Sequence, residues 1–340
     1  MNSLNTIRFA GRRYGIVLAL IVMVVIASRQ SSFLTAGNLV NISDQWTPIA
    51  VMALGMTFCL ISGGFDLSVG ATYALAATVS SALALHHPPL LAIVITLAIA
   101  GVIGLANGLM VTKLAINPLI ATLGSSQIVG GAALLYSGGA TYSVHDGLLA
   151  DLGSGRIGGS FPVSAIVLAG FTLVATIVLA FSTYGQDLYA TGGNNTASYI
   201  SGIRTDRTRT LTYVITGLTA GVAGVLYVGR VGSGQANIGT GIELQVIAAA
   251  LIGGVSLIGG QGRVWQALTG VAILAVLQNF FNQASINAYW QSIVQGCVIV
   301  AAVGFDAFSR GESLTGLRHQ FARIRYNHRA GSLPEPAETP

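Results

Sequence analysis

Ten apolar stretches alternate with short polar breaks along this chain. They run over roughly 12–28, 47–63, 67–86, 89–112, 117–136, 162–182, 209–229, 244–259, 264–283 and 288–308. A helix that crosses a bilayer needs ~20 mainly apolar residues. The pattern therefore predicts an all-α polytopic membrane protein with about ten transmembrane helices. Only Gly63-Gly64-Phe65-Asp66 separates the second run from the third. The eighth run is short and rich in glycine, which predicts a tilted, broken or partly re-entrant segment. Two longer polar intervals interrupt the series, at 137–161 and 183–208.

Composition supports this class. Hydrophobic residues make up 53% of the 340 and charged residues 8%, against about 25% charged in a soluble domain. So few charges cannot cover a water-facing surface. The 44 glycines are dispersed through the apolar runs, as in membrane helices. Cys59 and Cys297 both lie inside apolar runs and read as small buried side chains, with no metal-ligand spacing around them. The first apolar run follows Arg8, Arg12 and Arg13 and has no small-residue cleavage site after it. It reads as a span and not as a removed signal.

Charge gives the sidedness. With the N-terminus inside, ten spans place thirteen of the sixteen basic residues on the inner side, leaving only Arg29, Arg156 and Arg230 outside. Cytoplasmic loops carry this excess of Lys and Arg. Both termini are expected in the cytoplasm, and the net charge of +5 reflects topology and not a nucleic-acid surface. Residues 1–308 form the predicted transmembrane domain, with a long inner loop at 183–208. Residues 309–340 form a basic tail whose end, GSLPEPAETP, has no apolar content to bury. The long loop after the sixth span suggests two inverted halves of five spans. The echo between GGFDLS at 63–68 and GGVSLI at 253–258 falls on different spans of the two halves. It does not establish the repeat.

Candidate chemistry is sparse. Lys113 is the only lysine, so the chain cannot contain a phosphate-cradling G-x-x-x-x-G-K-[ST] loop. No metal site and no catalytic constellation has convincing spacing, so the expectation is a transport protein and not an enzyme. Asp66, Glu243 and Asp306 read as lying at span ends, without the buried relay that an ion-driven carrier would use. Asp66 reads best as a cap of the third span, and Glu243 is placed to open the eighth and to touch a partner outside. The neutral polar residues within spans are the candidates for a solute path: Asn107, Gln127, Gln278, Asn279 and Asn282. Amides donate and accept hydrogen bonds without charge. Their bland alternative is to bond a neighbouring helix.

Four blocks carry a resemblance. LISGGFDLSVGA at 60–71, INPLIATLG at 116–124, YATGGNNTASYISGI at 189–203 and GTGIELQVIAAALIGGVSLIGGQG at 239–262 occur in this order. Together they resemble the ribose-type permease family of ABC transporters, from about residue 45 to 305. The resemblance implies a membrane subunit of a bacterial monosaccharide importer, in the cytoplasmic (inner) membrane. It also implies a second permease subunit, a cytoplasmic ATPase that uses ATP and Mg, and a periplasmic or lipid-anchored sugar-binding protein. Within the first block it singles out Gly63, Gly64, Asp66 and Ser68, and within the fourth Glu243. In the third block, a short cytoplasmic helix is expected to sit in the ATPase and couple it to the spans. Its residues would be Gly192, Gly193, Asn194, Thr196, Ala197, Tyr199, Ile200, Gly202 and Ile203. Thr196 is expected to cap it, Ala197, Tyr199 and Ile200 to form its apolar face, and Gly202 to end it. Gln186, Ser198, Tyr199 and Gln266 depart from the family pattern and bear on the surface shown to the partner, and the Ser198-Tyr199 departure is expected to mark partner choice. The competing functions are an ion-coupled secondary carrier and a passive facilitator.

Overall fold

The computed structural model describes residues 3–144 and 147–309. Helix α1 spans Ser3–Ala27, α2 Ala36–Ile61, α3 Val69–Ala84, α4 Pro89–Thr112 and α5 Pro118–Ser137. The first long polar interval holds β1 (Tyr142–Ser143), α6 (Gly147–Ser154), β2 (Arg156–Ile157) and β3 (Phe161–Pro162), and leads to α7, Val163–Phe181. The second holds α8 (Thr183–Gly193) and α9 (Asn195–Ile200), and leads to α10, Thr205–Val231. Then come β4 (Ser233–Gly234), α11 (Ile242–Ile252), α12 (Val264–Gln283) and α13 (Ala288–Ser309). The chain divides into two compact units: residues 1–292 hold α1 to α12, and the second, from residue 293, carries most of α13. Apart from Ser309, the basic tail expected at 309–340 lies outside the described residues.

Local chemistry sets the helix ends. Thr35 accepts from the Asn38 N–H at the start of α2. Asn117 accepts from the Leu119 N–H at 2.9 Å, with Pro118 in the first helical position of α5. Gly138 and Gly232 are left-handed and end α5 and α10.

All ten apolar runs contain a helix. Among the described residues, α2, α4, α5, α7, α10 and α12 are long and apolar enough to cross a membrane. Gly15–Ala27, α3 and α11 are shorter apolar helices. The expected start of the second span at residue 47 is corrected to Ala36. Asn38, Asn41, Ser43, Asp44 and Gln45 hid that helical turn sequence because they lower its hydropathy, although several find partners inside the fold. Asn38 and Asn279 of α12 exchange two amide hydrogen bonds, at 3.1 and 2.8 Å. Asp44 is buried, and accepts from Arg156 of β2 and Ser164 of α7.

Helix α10 is the hub, packed on α2, α3, α4 and α6. Its approach to α4 depends on absent side chains. A Cβ at Gly217 would strike the Ala100 carbonyl, and one at Gly104 or Gly108 would strike the backbone of Tyr213 or Thr210. Small residues spaced four apart on both helices let two backbones come this close, which is how membrane helices gain packing energy without a hydrophobic drive between them. Helix α2 is buried on all sides from Trp46 to Ile61, as a helix apolar all round should be.

Two helices start inside the bundle. Asp66, just before α3, accepts a hydrogen bond from Thr216 of α10 at 2.8 Å. Thr216 lies eleven residues past Thr205, or about 16 Å along a helix of about 40 Å. Helix α3 therefore begins near the middle of α10. The chain after α10 pairs with β1 (Tyr142↔Gly234, Ser143↔Ser233) and then runs back along α3. Gly234 lies against Ala77 and Ser81, and Gly239 against Gly70 and Ala74. Helix α11 thus opens at mid-depth with left-handed Gly241 (φ 82°) before its first turn. The eighth run, 244–259, is helical only as far as Ile252, so α11 has eleven residues; the unwound approach precedes that run.

Candidate functional site

The third sequence block folds into two short helices at the end of the bundle where α10 begins. Helix α8 is the mount. Ser182 accepts from the Gly185 N–H at 3.0 Å and starts it. Leu188 is buried, Tyr184 stacks on Phe58 of α2, and the Tyr189 hydroxyl donates to the Gly262 carbonyl at 2.6 Å. Burial pushes the Tyr189 phenol up, with Arg263 pulling it down, so it remains a neutral donor at ordinary pH.

Helix α9 is the tip. The expected cap at Thr196 is corrected: Asn194 occupies the cap position and its side chain accepts from the Ala197 N–H at 2.9 Å. Asn194 alone can do so because it is extended (φ −157°, ψ 99°), whereas Thr196 is already helical and exposed. The far end closes as expected at Gly202. Its φ of 89° lets the Gly202 N–H reach the Tyr199 carbonyl and the Ile203 N–H reach the Ser198 carbonyl, each at 3.0 Å. Ala197, Tyr199 and Ile200 are all exposed, the last two at 71% and 78%. Ser198 is buried and faces the bundle. Of the Ser198-Tyr199 departure, therefore, only Tyr199 is displayed outward; Gln186 is exposed as well.

Three glycine-rich blocks meet under this tip. The Gly260 N–H donates to the Ile61 carbonyl at 2.8 Å. A Cβ on Gly192 would collide with that same carbonyl and with the Gly260 nitrogen. One on Gly259 would meet the Gly192 carbonyl and Gly63 Cα at under 3 Å, and one on Gly260 would meet Gly193. The end of α2, the end of α8 and the turn between α11 and α12 thus touch backbone to backbone. Gly193 itself has open space where a Cβ would go.

Behind this joint lies a buried polar knot. Asp66, 1% exposed, accepts from the Ser68 N–H at 2.9 Å, the Ser68 hydroxyl at 2.6 Å and Thr216. Asn107 of α4 donates to the Ser68 hydroxyl at 2.7 Å. Asp66 was expected at a watery span end; the structure corrects this, because hydroxyls from α10 and its own loop replace water around the carboxylate. The cap expected at Asp66 is corrected: Ser68 holds the cap position of α3 without a side-chain capping bond, and Asp66, bonded to Ser68 and Thr216, ties that start to α10. Glu243 lies in the first turn of α11, at the helix start where it is expected; that start packs inside the bundle, with the Glu243 carboxylate over Gly70 of α3. Gly63 (φ 78°) and Gly64 form the turn before Asp66, and Gly64 leaves room for the Tyr213 hydroxyl.

The five amide candidates do not gather on one wall. Asn107 belongs to the Asp66 knot. Gln127 is exposed on α5, opposite the buried stripe Ala121, Ser125, Val129 and Ala133. Asn279 bonds Asn38, and Asn282 accepts from Gln291 at 3.1 Å; Gln278 is half-buried beside them on α12. Asn279 and Asn282 thus bond neighbouring helices, the bland alternative. The pairing of Asp44 with Arg156 is not foreseen from the sequence. The signal available was the unmatched pair itself, one carboxylate and one of only three cations expected outside.

The chain matches, over residues 38–303, the family described as branched-chain amino acid transport system / permease component. It is 34% identical to the ribose import permease protein of Escherichia coli (strain K12), over 89% of this chain and 99% of that one. The ribose import permease protein of Bacillus subtilis (strain 168) is 36% identical, over 87% and 92%. The galactose/methyl galactoside import permease protein of Escherichia coli (strain K12) is 34% identical, over 86% and 92%. No solved structure matches the chain.

Proposed function

Since the chain belongs to this family of transport permease components, we propose that it is the membrane-spanning subunit of an ATP-driven importer for a monosaccharide or related polyol. The observation that carries this reading is α9: a six-residue helix that displays Ala197, Tyr199 and Ile200 outward from a backbone-to-backbone joint. An apolar tip on a close-packed mount suits a lever that a second protein pushes. That protein is a cytoplasmic ATPase, which supplies the ATP and Mg chemistry that this chain does not. A sugar-binding protein delivers solute at the opposite end, and a second permease subunit completes the membrane part and covers exposed Gln127. Ten crossings, with both termini in the cytoplasm of a bacterium, place the α9 end inside.

Uptake of ribose and galactose into vesicles holding the chain, its ATPase and its binding protein tests this. ATP should drive accumulation without any ion gradient, and Ala197→Glu should abolish it while the permease remains folded and inserted. Accumulation that needs a gradient and ignores ATP would make the protein a secondary carrier. Equilibration without either would make it a facilitator.

A further inference from the structure

We propose that the unwound segment from Gln235 to Gly241, together with the first turn of α11, lines the aqueous path of the solute at mid-depth, with Asn237, Thr240 and Glu243 as its hydroxyl-binding groups; this rests on the transport reading above.

Three observations meet here. The first is depth. Gly239 lies against Gly70, two residues beyond Ser68, which is tied through Asp66 to Thr216 in the middle of α10. The second is the backbone. Among the described residues, the N–H groups of residues 235–239 have no acceptor within the chain. At this depth a hydrocarbon environment would leave five consecutive donors unsatisfied, so irregular backbone survives there only inside protein or beside water. The third is what faces outward. Asn237, Thr240 and Gly241 are exposed, and Gln235 and Glu243 are partly so. One side of the segment is already spent on α3 and α5, since Ala236 packs against Leu75, Val79, Val129 and Ala133. The other side therefore meets water.

The chemistry suits a neutral polyol. Free backbone donors, an amide and a hydroxyl bond sugar hydroxyls in either direction. The Glu243 carboxylate accepts from hydroxyls and sits in the first turn of α11, where the helix dipole favours an acid. The segment begins beside β1 and ends at the start of α11, so it follows the bundle axis from the end away from α9 towards the middle.

Cysteine accessibility in the assembled transporter tests the assignment. Exposed Cys297 is first replaced by serine, while buried Cys59 is kept. Asn237→Cys and Thr240→Cys are then treated with 2-(trimethylammonium)ethyl methanethiosulfonate in vesicles, beside Val174→Cys on the outward face of α7. Because only a hydrated thiol ionises readily, both should react at least about ten-fold faster than Val174→Cys. Rates no faster than Val174→Cys overturn the proposal. If either variant fails to assemble, Gln235→Cys reads the same segment. ATP-driven sugar uptake by the same vesicles separates the two failures. Slow labelling with uptake intact removes this segment from the path. Fast labelling without uptake of any sugar upholds the wet segment and overturns the importer.

Discussion

Gly192 and Gly193 are neighbours of one residue type, and their surroundings separate them. A methyl group on Gly192 would need the Ile61 carbonyl and Gly260 nitrogen to move, whereas one on Gly193 meets nothing within 4 Å. Gly192→Ala should therefore shift α9 and reduce sugar uptake per ATP hydrolysed by on the order of ten-fold, which corresponds to about 1.4 kcal/mol of lost coupling. Gly193→Ala should stay within about two-fold of the parent, as surface changes usually do. Parallel measurement of ATP hydrolysis and uptake checks both, and equal effects of the two substitutions would remove the joint from the mechanism. The doublet was legible as a motif; which glycine bears the packing was not, because that depends on Ile61 and Gly260, far away in sequence. The same holds for Asp66. Its position before an apolar run predicted a cap, but only Thr216 and Asn107, on two other helices, explain how a carboxylate can be buried there.

At the scale of elements, helices follow hydropathy wherever they face lipid or pack through small residues, and depart from it wherever polar side chains find partners. Runs such as 89–112 and 264–283 coincide with α4 and α12. The first turns of α2 do not, since Asp44 is satisfied by an ion pair with Arg156 that brings together residues 112 apart in sequence. Removing one partner of a buried pair strands the other, at a cost of about 3–5 kcal/mol. The Asp44 side chain is 5% exposed and that of Arg156 is 30% exposed, so water should reduce this to roughly 1–3 kcal/mol for Arg156→Ala. Thermal unfolding in detergent should show that loss, and the double change Arg156→Met with Asp44→Leu should be milder than Arg156→Ala. A double variant less stable than the single would show that the pair is not held as described. The loop at 183–208 was similarly legible in outline: one short capped helix ending at Gly202. That it comprises a buried mount and an exposed tip was decided by Tyr184, Leu188 and Tyr189 packing on α2 and the α11–α12 turn.

For the molecule as a whole, α10 organises the bundle, and its 27 residues join the α9 end to the opposite one. Lys113, at the end of α4, and Asp206, at the start of α10, pair across 2.9 Å with both side chains exposed. They mark one face of the bundle, and Arg204 and Arg207 are exposed beside them. The ten crossings proposed above predict that a fluorescent protein fused at either terminus lights up and that a periplasm-dependent reporter is inactive there. A periplasm-active fusion at one terminus alone would require an odd number of crossings. The chain's class, its apolar segments and its family blocks were all determined by the sequence, because each is a local property of composition, period or spacing. Tertiary structure alone decided that three glycine blocks form one joint, that Asp66 and Asp44 are buried with partners, and that residues 235–241 run unwound at mid-depth. Those features depend on contacts between segments up to about two hundred residues apart, where close approach and hydrogen bonding override local polarity.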